Sequence, residues 1–232
     1  YSWLIVVRLS DAKIKKCQGV AYYRGFGNQA LSALLSRTQA MIIKNGHELE
    51  HMILERVNTI DDLDKYLRED SHEGIHVVPR KIIKESKTVN FDGIEPDFMV
   101  FVEKNRKKAC HIVELKDGCE FDTKSSSAEK TSVSEFIRNN AQKLQYTFDG
   151  HICCFNEKTR EGIVKGFKNK IDESDALTGK EFCKLLEIDY NEIIKKRKKY
   201  QKENVDYFLK TLTEDKILKR KLKLLIPNKE KK

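Results

Sequence analysis

The stretch from Glu95 to Lys116 constrains the fold more than any other part of the chain. Two apolar runs, Glu-Pro-Asp-Phe-Met-Val-Phe-Val and Ala-Cys-His-Ile-Val-Glu-Leu-Lys, are joined by the charged connection Glu-Lys-Asn-Arg-Lys-Lys. Runs of this length with a polar connection read as neighbouring β-strands in a hairpin. Alternation along the second run puts Glu114 and Lys116 on one face and Val113 and Leu115 on the other. One face is then core and the other carries charge. Asp97 follows Pro96, which favours extended backbone before it and sets the carboxylate at the mouth of the first strand. Two carboxylates and a lysine therefore converge on one sheet edge. Carboxylates supply hard oxygen ligands for Mg²⁺, and a nearby ammonium can orient or help deprotonate an attacking water.

The letters Pro96-Asp97, sixteen intervening residues and Glu114-Leu115-Lys116 resemble the PD-(D/E)xK nuclease superfamily, whose members include most type II restriction endonucleases. The plain alternative is a surface hairpin with ordinary solvated charges. The resemblance implies a restriction-endonuclease-like α/β core: helix, three strands, helix, strand, in a mixed sheet flanked by helices. It implies Mg²⁺, with Mn²⁺ able to substitute, held by Asp97 and Glu114 beside Lys116. It further implies double-stranded DNA as substrate, a cytoplasmic bacterial or archaeal setting, and a homodimer, since a palindromic duplex site has two-fold symmetry.

The chain order fits this expectation between about Gln39 and Asn156. Leu31, Leu34, Leu35, Met41 and Ile42, then Leu49, Ile53, Leu54 and Val57, predict two helices around a hinge at Asn45-Gly46. Glu50 lies on or beside the apolar face of the second, while Glu48 and Glu55 share a polar one. Many restriction endonucleases that this arrangement resembles carry a glutamate on the corresponding helix facing the metal site, and Glu50 is the residue that matches it; a boundary glutamate reaching to solvent is the plain alternative. Residues 58–73 read as an acidic surface helix and loop. Ile75 to Ile83 reads as a first strand, at an edge or bulged because of Pro79. A helix over about Ala128–Phe148, capped at Ser126 or Ser132, leads into the strand His151–Phe155, which a crossover makes parallel to that of Glu114. Gln142 and Tyr146 on that helix resemble the Q-x-x-x-Y element of recombination-type members, which implies that Gln142 faces DNA; an ordinary exposed Gln beside a packed Tyr is the plain reading of the same pair. Gly162–Lys168 reads as a further strand, Thr178-Gly179-Lys180-Glu181 caps a short helix, and Asp189–Leu212 is one long helix with a frayed end from Asn228. Residues 1 to 30 assign nothing firm; the aromatics from Tyr22 to Phe26 suit either base stacking or a core.

His47-Glu48-Leu49-Glu50-His51 also satisfies H-E-x-x-H, the zinc-peptidase helix. The extension to a glycine and a third histidine is missing, and Glu50 puts a second carboxylate inside the motif.

Charge points to a polyanion. Of a net +9, residues 191–232 contribute all, with 15 Lys and Arg against 6 Asp and Glu, while residues 1–190 are balanced. The expected organisation is a nuclease domain over 1–190 and a basic helical extension over 191–232, with Lys195, Lys196, Arg197, Lys198 and Lys199 as DNA-contacting candidates. A solvated helix face is the plain reading of the same run. No apolar run approaches the roughly 20 residues a membrane span needs. The opening apolar run lacks a basic leader, which argues against a signal peptide. Six scattered cysteines without a C-x-x-C pair read as reduced, buried thiols of a cytosolic protein.

These observations predict a Mg²⁺-dependent, sequence-specific DNA endonuclease. A structure-selective repair or recombination nuclease, a zinc peptidase and a non-catalytic DNA-binding module are the rivals.

Overall fold

A computed structural model describes residues 8–12, 16–69 and 72–225. The chain forms two compact units, one of residues up to Glu48 with those from Glu192 onward, the other Leu49–Asn191. The expected division was 1–190 and 191–232.

The first unit is helical. It holds α1 (Lys16–Phe26), most of α2 (Gln29–Leu54), and later nearly all of α8 (Tyr190–Glu214) and α9 (Lys216–Leu225). α2 runs unbroken through Gly46, so the expected hinge is absent. One glycine costs a helix interior only about 1 kcal/mol, and the fully buried Leu49, Met52 and Ile53 continue its apolar face. Glu48, expected on a polar face, is buried. Tyr23 and Phe26 stand exposed on α1. Their bulk is not core.

The second unit is a five-stranded mixed sheet between helices. Its elements are α3 (Leu63–Tyr66), β1 (Gly74–Pro79), α4 (Arg80–Glu85), β2 (Phe98–Lys104), β3 (Lys107–Lys116), α5 (Thr123–Asn140), β4 (Thr147–Cys154), α6 (Arg160–Gly166), β5 (Ala176–Thr178) and α7 (Gly179–Leu185). The strand order is β1-β2-β3-β4-β5. β1, β2 and β3 are antiparallel, and β3, β4 and β5 are parallel. β2 and β3 form the expected hairpin, turning at Asn105 and Arg106, whose φ values of 53° and 63° are those of a two-residue turn matched to strand twist. Met99, Phe101, Cys110 and Ile112 pack on Val133 and Phe136 of α5. On the opposite sheet face Phe98 meets Phe182 of α7, ring centres 6.0 Å apart.

Several boundaries differ from expectation for physical reasons. β1 ends at Pro79, which precedes α4, so Ile82 and Ile83 are helical; the proline sits on an edge strand, where its missing N–H costs nothing. Residues 58–73 include buried Leu63 and Tyr66 and are not all surface. α5 starts at Thr123 because Asp122 accepts the Ser125 N–H at 2.9 Å, an N-cap that pre-empts Ser126. It ends at Asn140, and Phe148 belongs to β4. Residues 160–166 form a helix and not a strand: Ile163 and Phe167, four apart, are both fully buried. The Thr178–Glu181 capping box is present as expected. α8 spans Tyr190–Glu214, close to the expected helix, and α9 follows over Lys216–Leu225. The end from Asn228 lies outside the described residues. Cys110, Cys153, Cys154 and Cys183 are free and buried, and among the described residues no helix is long and apolar enough to cross a membrane.

Candidate active site

The site sits where the antiparallel and parallel halves of the sheet meet. Asp97 immediately precedes β2 and is 6% exposed. Its Oδ2 accepts the Leu115 main-chain N–H at 2.8 Å, so β3 aims the carboxylate. Glu114 and Lys116 share the sheet face covered by α5, as strand alternation requires. Lys116 Nζ lies 3.0 Å from Glu114 Oε1 and 2.7 Å from Glu129 Oε1 on α5. Arg80, first residue of α4, places Nη2 2.9 Å from Asp97 Oδ1 and 3.2 Å from Glu114 Oε2. Its main-chain N–H donates to Asp97 O at 3.0 Å.

Neither Arg80 nor Glu129 stands out in the sequence. Arg80 reaches the site because Pro79 pairs with Phe98, which sets the next residue of one chain beside the preceding residue of the other. Glu129 arrives on a helix whose placement over the sheet no local pattern encodes.

The electrostatics follow from packing two cations among three carboxylates, Asp97, Glu114 and Glu129. Burial raises the Asp97 carboxyl above its ordinary value and the nearby Glu50 charge adds to this, against Arg80, the Leu115 N–H and Lys116. Burial and the Asp97 charge likewise raise Glu114. For Lys116 burial acts downward, but Glu114 and Glu129 together outweigh it and hold the ammonium above its usual value. Two carboxylates that repel and a lysine kept charged describe a site that favours an added cation.

The donor set fits a hard divalent ion. Asp97 Oδ1 and Glu114 Oε2 face one point in space, and Mg²⁺ is commonly held by one or two carboxylates with water and phosphate completing its shell. Among the described residues no three His, Cys, Asp or Glu side chains gather as a cage. His51 of the H-E-x-x-H motif instead sets Nε2 3.0 Å from Glu55 Oε1.

Two other candidates fall elsewhere. Gln142 lies in a 3-10 turn (Ala141–Lys143) and not on a helix with Tyr146. That turn precedes β4, which begins opposite Ala109, at the end of β3 remote from Lys116. Tyr146 packs on Phe101 with ring centres 4.8 Å apart, and its hydroxyl donates to Glu103. The expected shared helix face is therefore absent, and Tyr146 is the packed tyrosine of the plain reading. On α8, Lys195, Lys198 and Lys199 are exposed and Lys196 and Arg197 half-buried.

Fold and site define an α/β protein with a carboxylate–lysine centre that two strands and two helices assemble. No family model matches the chain, and no solved structure matches it. Over 209 residues it is 36% identical to the type II restriction enzyme HhaII of Haemophilus parahaemolyticus, covering 87% of this chain and 92% of that enzyme. The chain belongs to this family of type II restriction enzymes and is thus a site-specific endodeoxyribonuclease.

Proposed function

We propose that the chain is a Mg²⁺-dependent endonuclease of the PD-(D/E)xK type that hydrolyses phosphodiester bonds at a specific sequence in double-stranded DNA. The observation that carries this reading is the convergence of Asp97 Oδ1 and Glu114 Oε2 on one nitrogen, Arg80 Nη2, with Lys116 fixed alongside. Asp97 and Glu114 would hold the metal, Mn²⁺ being able to replace Mg²⁺, and Glu50, whose charge acts on Asp97, would be a further carboxylate beside them. The bound ion supplies Lewis-acid stabilisation of charge on the phosphate and a more acidic water. The protein's own part is orientation. Leu115 N–H aims Asp97, and the two carboxylates on either side of Lys116 hold its ammonium where it can position the water and offset charge growing on the phosphate oxygens.

Two copies of the chain act as a homodimer, each attacking one strand of a two-fold-symmetric site. Lys195 to Lys199 and the basic face of α9 contact phosphates. The reduced thiols suit the cytoplasm.

Plasmid and phage DNA incubated with Mg²⁺ yield discrete bands, and Asp97→Ala or Lys116→Ala removes them while non-specific DNA binding persists. Full cleavage by either variant overturns the assignment, and cleavage confined to branched or single-stranded DNA favours a structure-selective nuclease. Light scattering gives twice the chain mass; a monomer both with and without DNA removes the dimer.

A further inference from the structure

Each central carboxylate gives one oxygen to a donor on β3 and turns the other to Arg80, whose Nη2 also reaches Glu114 Oε1 at 3.4 Å. Asp97 Oδ2 accepts the Leu115 N–H at 2.8 Å, and Glu114 Oε1 accepts Lys116 Nζ at 3.0 Å. The other oxygens, Asp97 Oδ1 and Glu114 Oε2, lie 2.9 and 3.2 Å from the same nitrogen, Arg80 Nη2. Arg80 therefore stands where an ion bridging these two oxygens would stand. Such an ion sits about 2.0–2.6 Å from each ligand oxygen, and a guanidinium cannot share that space with a dication of the same sign of charge.

The anchoring of Arg80 allows it to yield. Its main chain is clamped to Asp97 O at 3.0 Å, but its side chain remains 45% exposed. Beyond the direct ion pairs, the guanidinium makes one long contact, Nε to Pro96 O at 3.4 Å. It also lines an open pocket of about 310 Å³ whose walls include Ile94, Pro96, Glu129, Ser132 and Phe136. Glu114 also lines this pocket, so open space adjoins the guanidinium on the side of the carboxylates.

We propose that Arg80 is an exchange cation: its guanidinium holds Asp97 and Glu114 together until a divalent ion enters, then swings out and places its charge on a phosphate of the bound duplex. This deepens the metal-dependent nuclease reading and rests on it. Two opposite consequences follow for one residue. Without DNA, Arg80 competes with the metal and weakens its binding; with DNA and metal present, it adds a phosphate contact.

The test uses Ca²⁺ as a probe ion on the full chain, with wild type, Arg80→Gln, Arg80→Lys and Asp97→Ala compared by calorimetry and by DNA binding over a salt series. Arg80→Gln binds Ca²⁺ about tenfold more tightly without DNA, the scale of one charge removed from a half-exposed site. In Ca²⁺, its slope of log DNA affinity against log salt becomes shallower by about 0.9, one phosphate contact. Arg80→Lys, which keeps the charge, stays near wild type on both readouts. Unchanged Ca²⁺ affinity or an unchanged slope in Arg80→Gln overturns the exchange role while leaving the metal site standing. Wild-type Ca²⁺ binding by Asp97→Ala instead overturns the site itself, so the two failures are distinguishable. A circular-dichroism melt shows whether each variant is folded; should Arg80→Gln not fold, the same two readouts on Arg80→Met decide.

Discussion

The main-chain N–H of Leu115 donates to Asp97 Oδ2 over 2.8 Å, so the strand that carries Glu114 and Lys116 also sets where Asp97 points. The pair is eighteen positions apart in the chain and held by the antiparallel register of β2 and β3, in which Phe98 opposes Val113. A single slip of that register would turn every side chain of one strand to the wrong face.

Asp97→Asn tests the cost of this arrangement. Because burial raises the Asp97 carboxyl, the native chain takes up a proton more readily than the unfolded chain. Stability therefore rises as pH falls from the raised native value toward the ordinary carboxylate range and is lowest, on this account, at neutral pH. The neutral amide removes that penalty. Without divalent ions Asp97→Asn melts above wild type at pH 7, with the gap closing in acid, while cleavage falls by about 10²–10³-fold or more. A lower melting temperature at pH 7 would show that the ion pair with Arg80 outweighs burial.

Glu129→Gln tests the second support of Lys116. Glu114 and Glu129 hold the ammonium above its usual value against the effect of burial, so removing one carboxylate lowers it. The alkaline limb of the pH–rate profile in Mg²⁺ then moves to lower pH. Coincident profiles for variant and wild type would leave Glu129 with a structural role only.

Gly166→Ala tests the packing of α6. A Cβ built there lies 1.9 Å from Cys119 O, in the loop whose Phe121 N–H donates to Gly166 O at 3.3 Å. The backbone must shift, at a cost of about 1–3 kcal/mol, read as a lower urea midpoint with an unchanged slope. An unaltered midpoint would mean that this loop adjusts freely.

Truncation after Ile217 tests the basic end. None of the described α9 residues is buried, so the loss to folding is small. If Lys219, Arg220, Lys221 and Lys223 touch phosphates, the salt slope of DNA binding becomes shallower by about 0.9 for each contact removed. Sequence preference survives, because phosphate contacts position the protein and base edges select the site. A lower melting temperature with an unchanged slope would assign α9 to packing instead.

Local pattern alone determined the elements whose causes are local. Alternation between Glu95 and Lys116 specified the hairpin and put Glu114 and Lys116 on one face. The Thr178–Glu181 box marked the start of α7, and periodicity from Asp189 marked α8. Short apolar segments were less decisive: residues 160–166 suit a strand or a helix equally until Ile163 and Phe167 find the core. Only the tertiary structure brought Arg80 and Glu129 to the carboxylates of Asp97 and Glu114, through the β1–β2 register and the seat of α5 on the sheet. It also carried Gln142 and Tyr146 to the opposite end of β3. The physical reason is range: turns, caps and alternation are set by neighbours a few residues apart, whereas a charge cluster drawn from Arg80, Asp97, Glu114, Lys116 and Glu129 exists only once strands choose a register and a helix docks across them.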